Sequence, residues 1–182
     1  VESRGLGDVY KRQPEAIRLS VPIIKDIIRA YRIPILEVSG YEADDVIGTL
    51  ATEAGRQGII TYMMTPDKDY GQLVSDNVFM YRPKHSGGFE VMGIDEIKAK
   101  FNIRSTEQVI DMLGLMGDSS DNIPGCPGVG EKTAQKLVAE FDSIENLLAH
   151  TDQLKGALKT KVEANREMIT SVSYTHLTLP TT

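Results

Sequence analysis

Ile59-Ile60-Thr61-Tyr62-Met63-Met64-Thr65-Pro66-Asp67-Lys68-Asp69-Tyr70 is the stretch on which the reading of the fold turns. The unbroken apolar run from Ile59 to Met64 predicts a strand buried on both faces. Two carboxylates follow it at once. In open α/β sheets, ligands bind beyond the carboxyl ends of the strands, and Asp67 and Asp69 occupy that place. The plain alternative is a turn in which an Asp caps a short helix over 69–74. Lys68, between the two acids, is either a solvated charge or a phosphate contact.

Working outward, the spacing of Ile17, Val21, Ile24, Ile27 and Ile28 predicts a helix over 14–32, with Pro22 marking where its regular part begins. A short strand is expected at 35–38, then a second helix over 41–57 with Gly58 just past its end. Downstream, 78–82 and 89–92 read as strands flanking a Lys84-His85-Ser86-Gly87-Gly88 turn. The alternation predicts an α/β fold with a parallel sheet flanked by helices. After about Gly93 the character changes, and helices are expected at 94–101, 105–116, 130–141, 143–150 and 154–169. The expected organisation is an α/β part over 14–97 and a helical part over 98–170. Residues 1–13 and 171–182 match no element of the pattern. They resemble translated sequencing-adaptor read-through, with ordinary disordered termini as the alternative, and are set aside from fold reasoning.

Two further acidic clusters accompany Asp67 and Asp69. Glu42, Asp44 and Asp45 open the second helix. Acids there can simply stabilise the helix dipole, at about 0.3–1 kcal/mol per charge. Glu42 and Asp45 nevertheless share a face and repel. Asp118 and Asp121 lie in a loop after a helix, where Asp, Ser and Asn are ordinary turn residues. If the fold gathers these groups, cations must neutralise them. A carboxylate-only set with no Cys or His suits a hard ion such as Mg²⁺ or Mn²⁺.

The loop from Asn122 to Gly130 opens onto a helix, and its Gly125, Gly128 and Gly130 allow close backbone approach and positive φ. A helix N-terminus favours anions. Lys132 and Lys136, four apart, put charge on one face, so a nucleic-acid phosphate can dock without base readout. The Walker pattern fails because Gly130 is followed by Glu131, and the dinucleotide pattern fails because Thr133 stands where the third glycine belongs. A helix-hairpin-helix phosphate clamp fits better; a tight connection between helices is the simpler alternative.

The 182 residues are 41% hydrophobic, enough for a real core, and the net charge is −6. With the seven clustered acids set aside the remainder is close to neutral, so bulk acidity does not exclude a DNA partner. No apolar run approaches the roughly 20 residues of a membrane span. The single Cys126 rules out an internal disulfide and fits a reducing, cytoplasmic setting. His85, His150 and His176 are dispersed, without ligand spacing. Met63, Met64, Met112 and Met116 read as core filler. Arg82, Lys84 and His85 form either a backbone contact for DNA or a solvated hairpin, and Tyr70 either stacks on a base or packs.

Together, Gly40-Tyr-Glu-Ala-Asp-Asp-Val46, Thr65-Pro-Asp-Lys-Asp-Tyr70 and Gly117-Asp-Ser-Ser-Asp-Asn-Ile-Pro-Gly125 with the glycine loop resemble the 5′-nuclease domain of bacterial DNA polymerase I, in the flap-endonuclease superfamily. The resemblance covers roughly 14–169. It implies a PIN-like (resolvase-like) sheet followed by a helix-hairpin-helix (H3TH) region. It also implies two Mg²⁺ or Mn²⁺ ions bound by Glu42, Asp44, Asp45, Asp67, Asp69, Asp118 and Asp121, with Asp44, Asp45, Asp67 and Asp69 as the catalytic set. Gly125, Gly128, Gly130, Lys132, Thr133 and Lys136, with Lys68, would grip duplex, nicked or 5′-flap DNA, and the loop carbonyls could hold K⁺. The implied activity is 5′→3′ exonuclease and flap endonuclease, in a monomer whose parent is fused to a polymerase or free-standing.

Family members begin with a strand carrying a metal-binding Asp and a basic arch, and neither precedes Pro14. The chain is therefore expected to be a fragment with weak or no activity. A non-catalytic DNA-binding module is the competing reading. A third, an RNA-cleaving nuclease with a similar acidic sheet, is disfavoured by the glycine loop.

Overall fold

The structure is a computed structural model, and it describes residues 15–84, 86–118 and 123–175. The chain forms two compact units, 1–39 and 40–182.

In the first unit, helix α1 (Glu15–Ala30) buries none of its residues. It starts at Glu15 and carries Pro22 inside it, so the regular part does not wait for the proline. Lys25 forms an ion pair with Glu37, which lowers the Glu37 carboxyl, chiefly through that hydrogen bond. The strand expected at 35–38 is not formed. A strand exists only in a ladder, and among the described residues 35–38 has no strand partner.

In the second unit, helix α2 (Ala43–Arg56) packs on strand β1 (Thr61–Met64), which pairs in parallel with β2 (Val78–Pro83). Strand β3 (Phe89–Met92) pairs antiparallel with β2, and both Gly87 and Gly88 adopt positive φ in the connecting turn. The sheet is thus mixed rather than parallel, because a loop this short can only return a strand antiparallel.

Among the described residues β1 is an edge strand, not one buried on both faces. Strand side chains alternate, so Met63 enters the core while Tyr62 and Met64 are exposed. Met64 is therefore not core filler, whereas Met63 and Met112 are buried and Met116 packs against the core. On the exposed sheet face Tyr62 stacks on Phe79 and Tyr81 on Phe89, at ring-centroid distances of 5.6 and 4.7 Å.

Helix α3 (Ile94–Phe101) leads to α4 (Gln108–Met116), the central helix of this unit. The latter packs against the 3₁₀ segment Lys68–Leu73, against α5 (Glu131–Phe141) and against α8 (Arg166–Thr175). One apolar core runs from Ala51 through Met80, Leu113 and Leu147 to Ile169, joining the sheet to the helices. Three side-chain hydrogen bonds add polar ties within this unit. Thr106 Oγ1 donates to the Val74 carbonyl at 3.0 Å, and buried Gln108 donates to both the Asp142 carbonyl and its carboxylate at 2.8 Å.

Helix α6 (Ile144–Ala149) begins at Ser143, whose hydroxyl caps it by accepting from Asn146. The single helix expected over 154–169 is two, α7 (Gly156–Ala164) and α8, which break at Asn165. α8 runs on to Thr175, beyond the end at Ile169 that the sequence pattern predicts.

Candidate metal centre and nucleic-acid interface

The first acidic motif lies at the start of α2, where Glu42 is the N-cap residue. The backbone N–H of Glu42 donates to the Asp45 carboxylate at 3.1 Å, so Asp45 serves as a capping group. Asp44 is half-buried, and its Oδ1 accepts the hydroxyl of Tyr70 at 2.7 Å. Glu42 itself is exposed.

The second motif follows β1. Asp67 caps the 3₁₀ segment, its carboxylate accepting the N–H of Asp69 at 3.0 Å, while its own N–H donates to Thr65. Asp69 is buried. Tyr70 is 3% exposed and packs in the core rather than offering a stacking surface. Burial holds its phenol well above the usual range, reinforced by the bond to Asp44 and by the charges of Asp44, Asp67 and Asp45. Three carboxylates from two motifs thus act on one hydroxyl, and the structure brings these motifs together.

Of the third motif, Asp118 lies in β4 (Gly117–Asp118), which pairs with β5 (Ile123–Pro124). The Asp118 side chain, Asp121 and His85 lie outside the described residues. Among the described residues no three His, Cys, Asp or Glu side chains stand close enough to hold a metal ion. The acidic side chains of the first two motifs offer carboxylate oxygens alone, which fit a hard divalent cation in kind. Each of Asp44, Asp45 and Asp67 also has an oxygen fixed by a hydrogen bond, as metal ligands commonly do.

The β4–β5 pair closes the hairpin between α4 and α5. Gly125 is required by close approach: a Cβ there would lie 2.1 Å from the Met116 carbonyl carbon and 2.3 Å from the Gly117 nitrogen. Gly128 has φ +79°. Gly130 needs neither freedom, correcting the sequence reading: its φ is −96° and a Cβ would meet nothing. Lys132 and Lys136 are exposed on α5, and Thr133 is half-buried, its N–H donating to the Gly130 carbonyl at 2.9 Å.

Two cationic features escape the sequence reading. The Lys161 ammonium of α7 lies over the hairpin, 2.4 Å from where a Gly128 Cβ would stand. Lys100, on α3, is held below its usual range by partial burial and then by Arg82, with Lys68 adding and Glu90 and Glu131 opposing. The charges of Arg82 and Lys68 thus both disfavour the protonated form of Lys100. Arg82 also lies 3.7 Å from Glu90, so it is not merely solvated. No local spacing signals either grouping, since its members come from different elements.

Two family profiles match the chain: "5′-3′ exonuclease, N-terminal resolvase-like domain" over residues 7–102, and "5′-3′ exonuclease, C-terminal SAM fold" over 104–179. The chain belongs to the 5′-3′ exonuclease family. Among curated members, DNA polymerase I of Bacillus subtilis (strain 168) is 44% identical over 155 residues, 84% of this chain and 18% of the polymerase. The 5′-3′ exonuclease of Aquifex aeolicus (strain VF5) is 38% identical over 150 residues, 80% of this chain and 50% of that protein. The chain thus spans half or less of these 5′-3′ exonuclease relatives. The fold matches that of a bacteriophage T5 flap endonuclease in a pseudo-enzyme-product complex with DNA and metal ions. The TM-score is 0.75 at 21% identity, covering 92% of this chain and 63% of that one.

Proposed function

We propose that this chain is the metal-binding and duplex-gripping part of a 5′→3′ exonuclease and structure-specific flap endonuclease of the DNA polymerase I type, acting in replication and repair. The Tyr70–Asp44 hydrogen bond carries the reading, because it joins two acidic motifs 26 residues apart in sequence at one point. The relatives named above support it by family and fold.

Asp44, Asp45, Asp67 and Asp69 would hold two Mg²⁺ or Mn²⁺ ions, with Glu42, Asp118 and Asp121 completing the set. Such a pair supplies an activated water and neutralises the departing phosphodiester oxygen. The chain's own residues would position the DNA. Lys132 and Lys136 on α5 and Lys161 beside Gly128 offer cations to one backbone. The Lys68, Arg82 and Lys100 group offers a second contact. Contacts of this kind are sequence-independent and salt-sensitive. The loop from Gly125 to Lys132, with Thr133, is the segment whose carbonyls could hold K⁺. The partner would be duplex, nicked or 5′-flap DNA bound by a monomer in a reducing cytoplasm, and no described helix is long and apolar enough to cross a membrane.

A second reading, a DNA-binding module without cleavage, draws support from the exposed Lys132 and Lys136 beside the glycine loop, which need no metal to meet a phosphate backbone. One assay separates the two. A 5′-flap duplex is incubated with Mg²⁺ and either this chain or its Asp67→Asn/Asp69→Asn variant. Cleavage lost on substitution supports the nuclease. Binding that survives the change, with no cleavage by either form, supports the module.

A further inference from the structure

Tyr70 adjoins the second acidic motif but belongs to no ligand spacing. Its ring is buried in the core, and its hydroxyl reaches back to Asp44 on α2 at 2.7 Å. Phenylalanine would fill the same volume, so the hydroxyl is the part that apolar packing does not require. A buried phenol keeps its O–H where a partner awaits it, and here the partner is a carboxylate.

Asp44, Asp45 and Asp67 are each fixed through one oxygen, but by different means. Asp45 is held by the backbone N–H of Glu42 and Asp67 by that of Asp69. Asp44 is held by a side chain from another element. A carboxylate with one oxygen so engaged keeps the other for a cation and no longer rotates freely. Groups that orient metal ligands in this way contribute strongly to affinity.

We propose that Tyr70 is a positioning residue of the candidate metal centre, its hydroxyl fixing one Asp44 oxygen so that the other is presented to a divalent cation. The proposal rests on reading these carboxylates as metal ligands. Buried in the core, Tyr70 acts through Asp44. It also locks the first turn of α2 to the 3₁₀ segment, so the two motifs keep their spacing before any cation arrives.

The test is a titration of the full 182-residue chain with Mn²⁺, following free Mn²⁺ by electron paramagnetic resonance. The Tyr70→Phe, Asp44→Asn and doubly substituted chains are titrated alongside, and metal-free thermal unfolding is measured for each. Tyr70→Phe is expected to weaken Mn²⁺ binding about tenfold. In the Asp44→Asn background the same change should add almost nothing, because its effect passes through that carboxylate. Wild-type affinity in Tyr70→Phe overturns the proposal and leaves the metal reading standing, even if the variant melts earlier, since a merely structural tyrosine moves only the melting temperature. A tenfold loss that persists undiminished in the Asp44→Asn background also overturns it. No Mn²⁺ uptake by the unaltered chain overturns the metal reading and this proposal with it.

Discussion

The Asp111 carboxylate on α4 accepts the backbone N–H of Ile144, the first residue of α6, at 2.8 Å. The bond ties the central helix to the turn between α5 and α6. Burial nevertheless pushes the Asp111 pKa up to about 6, against the Ile144 bond, with Glu145 and Asp142 adding to the rise. The native state therefore holds the proton more tightly than the unfolded chain does. This stabilising contribution is complete below pH 3.8 and is lost as pH rises through about 6. Asp111→Asn keeps an acceptor for Ile144 and removes the charge. At pH 7.5 the variant should melt about 2–4 °C above the unaltered chain, the shift expected for about 1 kcal/mol at this size. The gain should shrink toward pH 5. A difference in melting temperature that is flat from pH 5 to 7.5 contradicts the assignment.

The hairpin glycines separate by mechanism. Gly125→Ala would drive a methyl into the Met116 and Gly117 backbone, at a cost of about 3 kcal/mol. That corresponds to a melting temperature lower by roughly 6–12 °C. Gly130→Ala meets open space at a φ that any residue adopts, so it should stay within about 1 kcal/mol. Equal losses at the two positions, read by thermal unfolding, would refute the structural distinction.

Lys132 is exposed on α5 beside the hairpin. If it contacts a phosphate, Lys132→Ala weakens duplex binding and reduces the slope of log K against log salt by about 0.9. Lys161→Ala should do the same through its place over Gly128. Fluorescence anisotropy at several salt concentrations measures both slopes, and unchanged values would remove these lysines from the interface.

Periodicity and turn chemistry located most elements of the second unit, including α2, the β2–β3 pair, α3 and α5. The strand expected at 35–38 does not form because its apolar residues describe a tendency to pair, whereas a ladder also needs a neighbour, and none stands there among the described residues. The break at Asn165 carries no Pro or Gly; it is marked instead by side-chain and backbone bonds from Asn165 to Lys161 and Val162, which periodicity does not register. Candidate ligands could be chosen from charge clustering alone. That Tyr70 reaches Asp44, or that Arg82 and Lys68 act on Lys100, depends on tertiary placement and leaves no trace in local spacing.

Whether the acidic motifs form one divalent-cation pocket is read from an anomalous-difference map of crystals of the chain grown with Mn²⁺. The expected result is a manganese peak bound by carboxylate oxygens from both motifs, Asp44 or Asp45 on one side and Asp67 or Asp69 on the other. Manganese absent from this pocket, or bound by carboxylates of one motif alone, would contradict it.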